Sequence, residues 1–120
     1  MNVQKKGPQR YFYVIVSTAG KMATIENVSV AKGYVWSFAN PESGNTIEIG
    51  VYNWGDKYHK WRAVELTTGL GVAVFKTLDE AQSSFSNNMI DQVANTIGNK
   101  ATKYIRHCQE LIRLKQELPN

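Results

Sequence analysis

Histidine, cysteine and paired carboxylates are the side chains of this sequence that could carry out nucleophilic or acid–base chemistry. The two histidines, His59 and His107, lie in different segments, and His107 adjoins the single cysteine, Cys108. A nucleophile and its base must face each other, whereas adjacent residues of a helix point about 100° apart. We therefore interpret Cys108 as a buried helix residue and assign no catalytic residue.

Carboxylates and glycines give no stronger indication of an enzyme. Glu48 and Glu65 lie on predicted strands, where solvated positions on a sheet face are the simpler interpretation. The segment from Thr68 to Gly71 contains two glycines, but a phosphate-binding loop needs a helix directly after it, and here a strand follows. No residues have metal-ligand spacing. We predict no metal, no cofactor and no enzymatic activity, and an enzyme with an unrecognised site is our weakest hypothesis.

Aromatic and basic residues alternate in one segment of eleven positions, which is the most suggestive feature of the sequence. The segment offers four rings and three permanent cations, and its aromatic and basic residues, histidine included, are Tyr52, Trp54, Lys57, Tyr58, His59, Lys60, Trp61 and Arg62. Rings that stack on bases, together with cations that contact phosphates, are typical of single-strand binding. The alternative is that Trp61 and one tyrosine anchor the core while the charges solvate a loop.

Apolar residues with a period of two predict the strands that position this segment. Five or six antiparallel strands are expected, and the weakest of them, Met22–Val30, is interrupted by Asn27. The others are predicted at Arg10–Ala19, Gly33–Ala39, Thr46–Tyr52, Trp61–Leu66 and Leu70–Phe75, with turns at Ala19–Lys21, Asn40–Asn45 and Thr67–Gly69.

Helical periodicity replaces the strand pattern at Thr77. Thr77 and Glu80 have the spacing of a capping box, in which each side chain accepts from the backbone N–H of the other residue. Apolar residues then recur at spacings of three and four, at Leu78, Ala81, Phe85, Met89, Val93 and Ile97. A break is predicted at Gly98–Asn99. A basic second helix follows, with an apolar stripe through Cys108 to Leu118, and both helices should pack mainly on one face of the sheet.

Length and composition predict one domain. A chain of 120 residues is too short for two independent cores, so we expect an α+β domain at 10–118 after a flexible basic arm at 1–9. The formal charge of +4 favours anionic partners without selecting one. One cysteine, no signal-peptide pattern and no long apolar run favour a cytoplasmic protein without a membrane span.

These patterns lead to a ranked functional prediction. The leading hypothesis is a small non-enzymatic binding or accessory domain that acts through protein–protein contacts as a homo-oligomer. The alternative is single-stranded nucleic-acid binding, and no small-molecule ligand is inferred. The predicted contact surface combines the aromatic and basic segment with the last helix, and its residues are Tyr52, Trp54, Lys57, Tyr58, Lys60, Trp61, Arg62, Lys103, Arg106 and Arg113.

Overall fold

The chain folds as a five-stranded antiparallel sheet followed by helices, which confirms the α+β prediction. The computed structural model describes residues 9–16, 22–39, 46–85 and 102–117. The strands are β1 (Arg10–Ile15), β2 (Val28–Ala39), β3 (Thr46–Asn53), β4 (Trp61–Glu65) and β5 (Gly71–Phe75), and they are neighbours in chain order. Among the described residues the helices are α1 (Leu78–Phe85) and α2 (Thr102–Glu117), and a 3₁₀ turn spans Ile25–Asn27.

The long strand β2 pairs with a different strand on each side. Its first half pairs with β1 and its second half with β3, and Gly33 is the residue common to both registers, since it lies opposite both Arg10 and Tyr52. A Cβ added at Gly33 would lie 2.1 Å from the carbonyl oxygen of Val51. Glycine is therefore required here, because the two backbones approach too closely for any side chain.

One face of the sheet, here called the helix-covered face, packs against both helices. Trp36 and Phe38 of β2 are buried beneath Phe85 of α1, together with Ile49 of β3. Residues opposite each other in an antiparallel pair share a face, so Ile15 and Val28 lie on this same face, where α2 covers them with Cys108, Leu111 and Ile112. The prediction that the helices share one face is confirmed.

Thr77 caps the start of α1 as predicted, with one change in the hydrogen bonds. Its hydroxyl accepts from the backbone N–H of Glu80 at 3.0 Å. The Glu80 carboxylate accepts from the N–H of Lys76 at 3.1 Å, one residue before the predicted donor. Acidic residues in this first turn also stabilise the positive end of the helix dipole.

The opposite face is here called the inner face, and on it side chains of β1 pack against residues of β3 and β4. Phe12 of β1 reaches across to β3, where a Cβ on Gly50 would be 2.7 Å from the Phe12 ring. Val14, Ala31, Tyr52 and Val64 complete this cluster. The backbone N–H of Ile15 also donates to the Gly69 carbonyl at 2.7 Å. The end of β1 is thus fixed beside the turn between β4 and β5.

Some predicted boundaries differ from the structure. The Met22–Val30 segment contributes a 3₁₀ turn with Asn27 at its end, and β2 begins directly afterwards at Val28. The predicted strand start at Gly33 was therefore wrong, because the end of the Met22–Val30 segment and Gly33–Ala39 belong to one continuous strand. Other predictions fall outside the described residues: the arm up to Pro8, the turns at Ala19–Lys21 and Asn40–Asn45, the apolar positions Met89, Val93 and Ile97, the break at Gly98–Asn99, and Leu118. No described helix is long and apolar enough to cross a membrane.

Candidate ligand cleft at the hairpin end of the sheet

The loop between β3 and β4 is ordered by its own polar groups. The side-chain oxygen of Asn53 accepts from the N–H of Gly55, which has a φ of 83° that favours glycine. The Asp56 carboxylate accepts from the N–H groups of Tyr58 and His59. These backbone bonds lower the pKa of Asp56 below its usual range. The loop conformation is therefore fixed before any ligand arrives.

Trp54 is held at the start of this loop with part of its ring exposed. Its indole N–H donates to the carbonyl of His59, and its backbone N–H donates to the carbonyl of Lys60 at 3.0 Å. The residue nevertheless keeps 44% of its surface exposed. Because the polar atom of the indole already has a partner, the exposed part of the ring is suited to stacking or apolar contact.

Arg62 lies on the inner face and is held by neutral groups. Its Nη1 donates to the Tyr52 hydroxyl at 2.8 Å and its Nη2 to the carbonyl of Ile15 at 3.0 Å. The guanidinium carbon lies 5.5 Å from the centre of the Trp54 ring, within cation–π distance. Arg62 therefore connects three strands, and its position is determined by contacts that carry no negative charge.

No carboxylate neutralises Arg62 within the part of the chain that the structure describes. The ion pairs found among these residues join Arg10 to Glu48, and Arg113 to Glu110 and Glu117. Arg62 is half-buried, and a charge partly removed from water without a counter-ion is costly. The arrangement can be stabilised by an anion from outside the chain.

A cleft of about 600 Å³ lies beside Arg62. One side is formed by β1 and the first half of β2, and the other by the hairpin of β3 and β4. The residues that define this ligand cleft are Val14, Val16, Ser29, Val30, Ala31, Lys32, Tyr52, Asn53, Trp54 and Arg62. It combines an aliphatic wall with one partly exposed ring and two cations, Arg62 and Lys32, and the Lys32 ammonium lies over the ring of Tyr11, its partner across β1 and β2.

The residues of the predicted segment have different roles. Lys57, Tyr58 and Lys60 are exposed on the loop, and 71% of Tyr58 is accessible. Tyr52 is buried and reaches the cleft through its hydroxyl group. Trp61 packs into the core of the helix-covered face beneath α1. Two of the four predicted rings, Trp54 and Tyr58, thus remain accessible to a partner.

The predicted contribution of α2 lies elsewhere. This helix packs on β1, on β2 and on the 3₁₀ turn, on the face opposite to the one that carries Arg62. Lys103 and Arg106 are exposed there. Arg113 lines a separate cleft of about 570 Å³ between β1 and α2, and its charge is paired with Glu110 and Glu117. These pairs raise the pKa of Arg113 and lower that of Glu110.

The predicted contact surface did not include two lysines that lie near the hairpin of β3 and β4. Lys32 lines the ligand cleft, and its ammonium lies 5.5 Å from the centre of the Tyr11 ring. Lys76 follows Phe75, which lies opposite Trp61, so the same register brings Lys76 beside Lys60. Only the strand pairing could have indicated either residue, since both are distant in sequence from the aromatic and basic segment.

The groups considered for catalysis occupy structural positions. His107 contacts the carbonyl of Ala23 through Nε2, and Cys108 is fully buried on the side of α2 that packs against the sheet. The Glu65 carboxylate accepts from the backbone and hydroxyl groups of Thr67 and Thr68, and thereby forms the turn before β5. Within the described ranges, no three His, Cys, Asp or Glu residues are grouped so as to hold a metal ion.

Comparisons with known proteins identified no relative of this chain. No protein-family model, curated protein or solved structure gives a significant match to this chain.

Proposed function

We propose that this chain is a non-enzymatic binding domain that holds single-stranded nucleic acid at the hairpin end of its sheet. The contact surface, here called the hairpin-end surface, consists of Trp54, Lys57, Tyr58, Lys60 and Arg62. The observation that carries the proposal is Arg62, which is fixed by neutral groups, lies within cation–π distance of a partly exposed tryptophan and has no carboxylate partner in the described chain.

The chemistry of this surface suits an unpaired strand. Trp54 and Tyr58 offer two partly exposed rings, and base stacking on such rings contributes about 1–3 kcal/mol for each base. Lys57 and Lys60 lie on the same short loop and provide phosphate contacts that do not depend on sequence. The loop is already ordered by Asn53 and Asp56, so binding requires little loss of conformational freedom.

The test is the titration of a labelled thymidine oligonucleotide of about 12 nucleotides, followed by fluorescence anisotropy between about 50 and 200 mM salt. We expect affinity to fall with salt. Replacing Lys57 and Lys60 together by glutamine should flatten the slope of log K against log salt by about 0.7 for each lysine. Trp54→Ala should weaken binding by about 1–3 kcal/mol at every salt concentration.

The matched control is the variant in which Lys103 and Arg106 of α2 are both replaced by glutamine. It removes the same net charge from the face opposite to Arg62, and the affinity should remain within about twofold of the original. Absence of binding at low salt would overturn the proposed function. Equal loss in the control and in the loop variant would overturn the assignment to the hairpin-end surface.

We also propose a homo-oligomer, because two large side chains are exposed beside each other on the helix-covered face. Tyr11 of β1 and Val30 of β2 are mainly accessible, and the register makes them diagonal neighbours. Tyr11 lies on the edge strand β1 and Val30 on its neighbour β2, and exposed apolar groups on and beside an edge strand are suited to association with a second copy. Light scattering at several concentrations tests this, and a constant monomer mass would overturn it.

A further inference from the structure

We propose that the ligand cleft holds one nucleotide unit, with its phosphate on Arg62 and its base against Trp54 and the aliphatic wall. The inference rests on the proposed function and deepens it: the strand would run over the exposed loop and insert one unit between the hairpin of β3 and β4 and the residues of β1 and β2 that line the cleft. The same chemistry would also admit a free nucleoside monophosphate, so the experiment below separates the two sources.

The dimensions and lining of the cleft fit a flat ring. Its volume of about 600 Å³ lies within the range of about 300–1,000 Å³ that small-molecule sites occupy. Across from the hairpin the wall is lined by Val16, which is 38% exposed, and by Val14 and Ala31, which are buried, and Trp54 supplies an aromatic surface. Ser29 also lines the space and offers one hydroxyl group to the polar edge of a base.

The charge in the cleft fits one phosphate. A guanidinium has five N–H donors, and the described acceptors of Arg62 are the Tyr52 hydroxyl and the Ile15 carbonyl. Both are neutral, so the positive charge remains available for an anion, and the planar donors suit the paired oxygens of phosphate. A phosphate here would supply the counter-charge that the described chain lacks.

The position of Arg62 depends on its hydrogen bonds and also on the absence of a side chain at Gly71. A Cβ at Gly71 would lie 2.7 Å from both Nε and Nη2 of Arg62. Any side chain at this position would displace the guanidinium. Gly71→Ala therefore displaces the guanidinium that would hold the phosphate but keeps its charge. It complements Arg62→Gln, which removes the charge.

The experiment is calorimetric titration of the full chain with adenosine 5′-monophosphate, adenosine and inorganic phosphate, each in a separate series. The monophosphate should bind at least tenfold more tightly than either fragment, because only it engages both Trp54 and Arg62. Arg62→Gln should weaken its binding by about ten- to a hundredfold, as expected for a lost charge-assisted bond. Gly71→Ala should act in the same direction.

Two further variants keep the test decisive if Arg62→Gln does not fold. Tyr52→Phe removes only the hydroxyl that orients Arg62, and it should weaken monophosphate binding by about three- to tenfold while leaving adenosine binding unchanged. Lys103→Gln, on the opposite face, removes one charge and should have no effect. Thermal unfolding of each variant establishes that the fold is retained.

Competition with the labelled oligonucleotide separates the inference from the proposed function. Displacement of the oligonucleotide by the monophosphate, with both sensitive to Arg62→Gln, supports both. An oligonucleotide that binds but is not displaced overturns the cleft inference and leaves the proposed function standing. Binding of the monophosphate with no tighter binding of the oligonucleotide overturns the proposed function and leaves a free-nucleotide site. Equal binding of inorganic phosphate and the monophosphate overturns the base contact.

Discussion

Replacing Phe85 by alanine should remove most of the attachment of α1 to the sheet. The ring is 1% exposed, and its centre lies 4.8 Å from that of Trp36, 5.6 Å from that of Phe38 and 6.2 Å from that of Phe75. All three pairs have edge-to-face geometry. Removing a buried phenylalanine costs about 3–5 kcal/mol through lost burial and the cavity left behind. The three ring pairs place this site near the upper end of that range.

We therefore expect Phe85→Ala to lower the free energy of unfolding by about 4 kcal/mol, a large fraction of the roughly 5–15 kcal/mol of an ordinary domain. In urea, with a slope of about 1–3 kcal/mol per molar, the unfolding midpoint should fall by roughly 1–4 M. Tryptophan fluorescence is a suitable signal, because Trp36 loses its nearest ring neighbour.

A matched control is Leu114→Ala, which removes an apolar side chain that is exposed on α2. Its effect should stay within about 0.5 kcal/mol, as is usual for surface substitutions. If Phe85→Ala costs less than about 1 kcal/mol, or no more than Leu114→Ala, the packing of α1 on the helix-covered face is refuted. An unchanged fluorescence spectrum would contradict the ring cluster independently.

Two other predictions concern backbone geometry and pH. Gly33→Ala should cost about 3 kcal/mol in urea unfolding, because the new methyl group would stand 2.1 Å from the Val51 oxygen. Gly55→Ala, where a Cβ would meet nothing but φ is positive, should cost only about 1 kcal/mol. Equal costs for Gly33→Ala and Gly55→Ala would contradict the close approach of the backbones at Gly33. Because backbone N–H groups stabilise the Asp56 carboxylate, its pKa is lowered from 3.8. Its contribution to stability is present above that value and is lost as pH falls through the lowered pKa. NMR titration of the carboxyl group tests this, and a midpoint at or above 3.8 would be contradictory.

Local patterns were sufficient to predict most of the fold. Alternation in Thr46–Tyr52 predicted β3 to within one residue of its end at Asn53, because one strand with a buried face imposes a period of two. The Thr77 cap predicted the start of α1, because its hydrogen bond is local. The start of β2 was predicted wrongly at Gly33 instead of Val28, since the strand follows a 3₁₀ turn directly.

The candidate site was only partly predictable for a physical reason. The aromatic and basic segment is visible in the sequence, and the period of two already implies that Trp61 and Arg62 face opposite ways. The partners of Arg62 could not be predicted, because the Ile15 carbonyl lies on β1, which is not a neighbour of β4 in the sheet. A contact between residues 47 positions apart has no local signature.

Gly33 pairs with both β1 and β3, so the length of β2 cannot change without shifting one of these pairings. Deleting one residue before Gly33 would turn the first half of the strand over, so that side chains now beneath α2 would enter the cleft and those of the cleft would meet the helix. The loop from Trp54 to Lys60 lies outside both registers. Insertions during evolution or engineering are thus tolerated at this tip, where new binding specificity could arise, and are excluded from the strand that shapes the cleft.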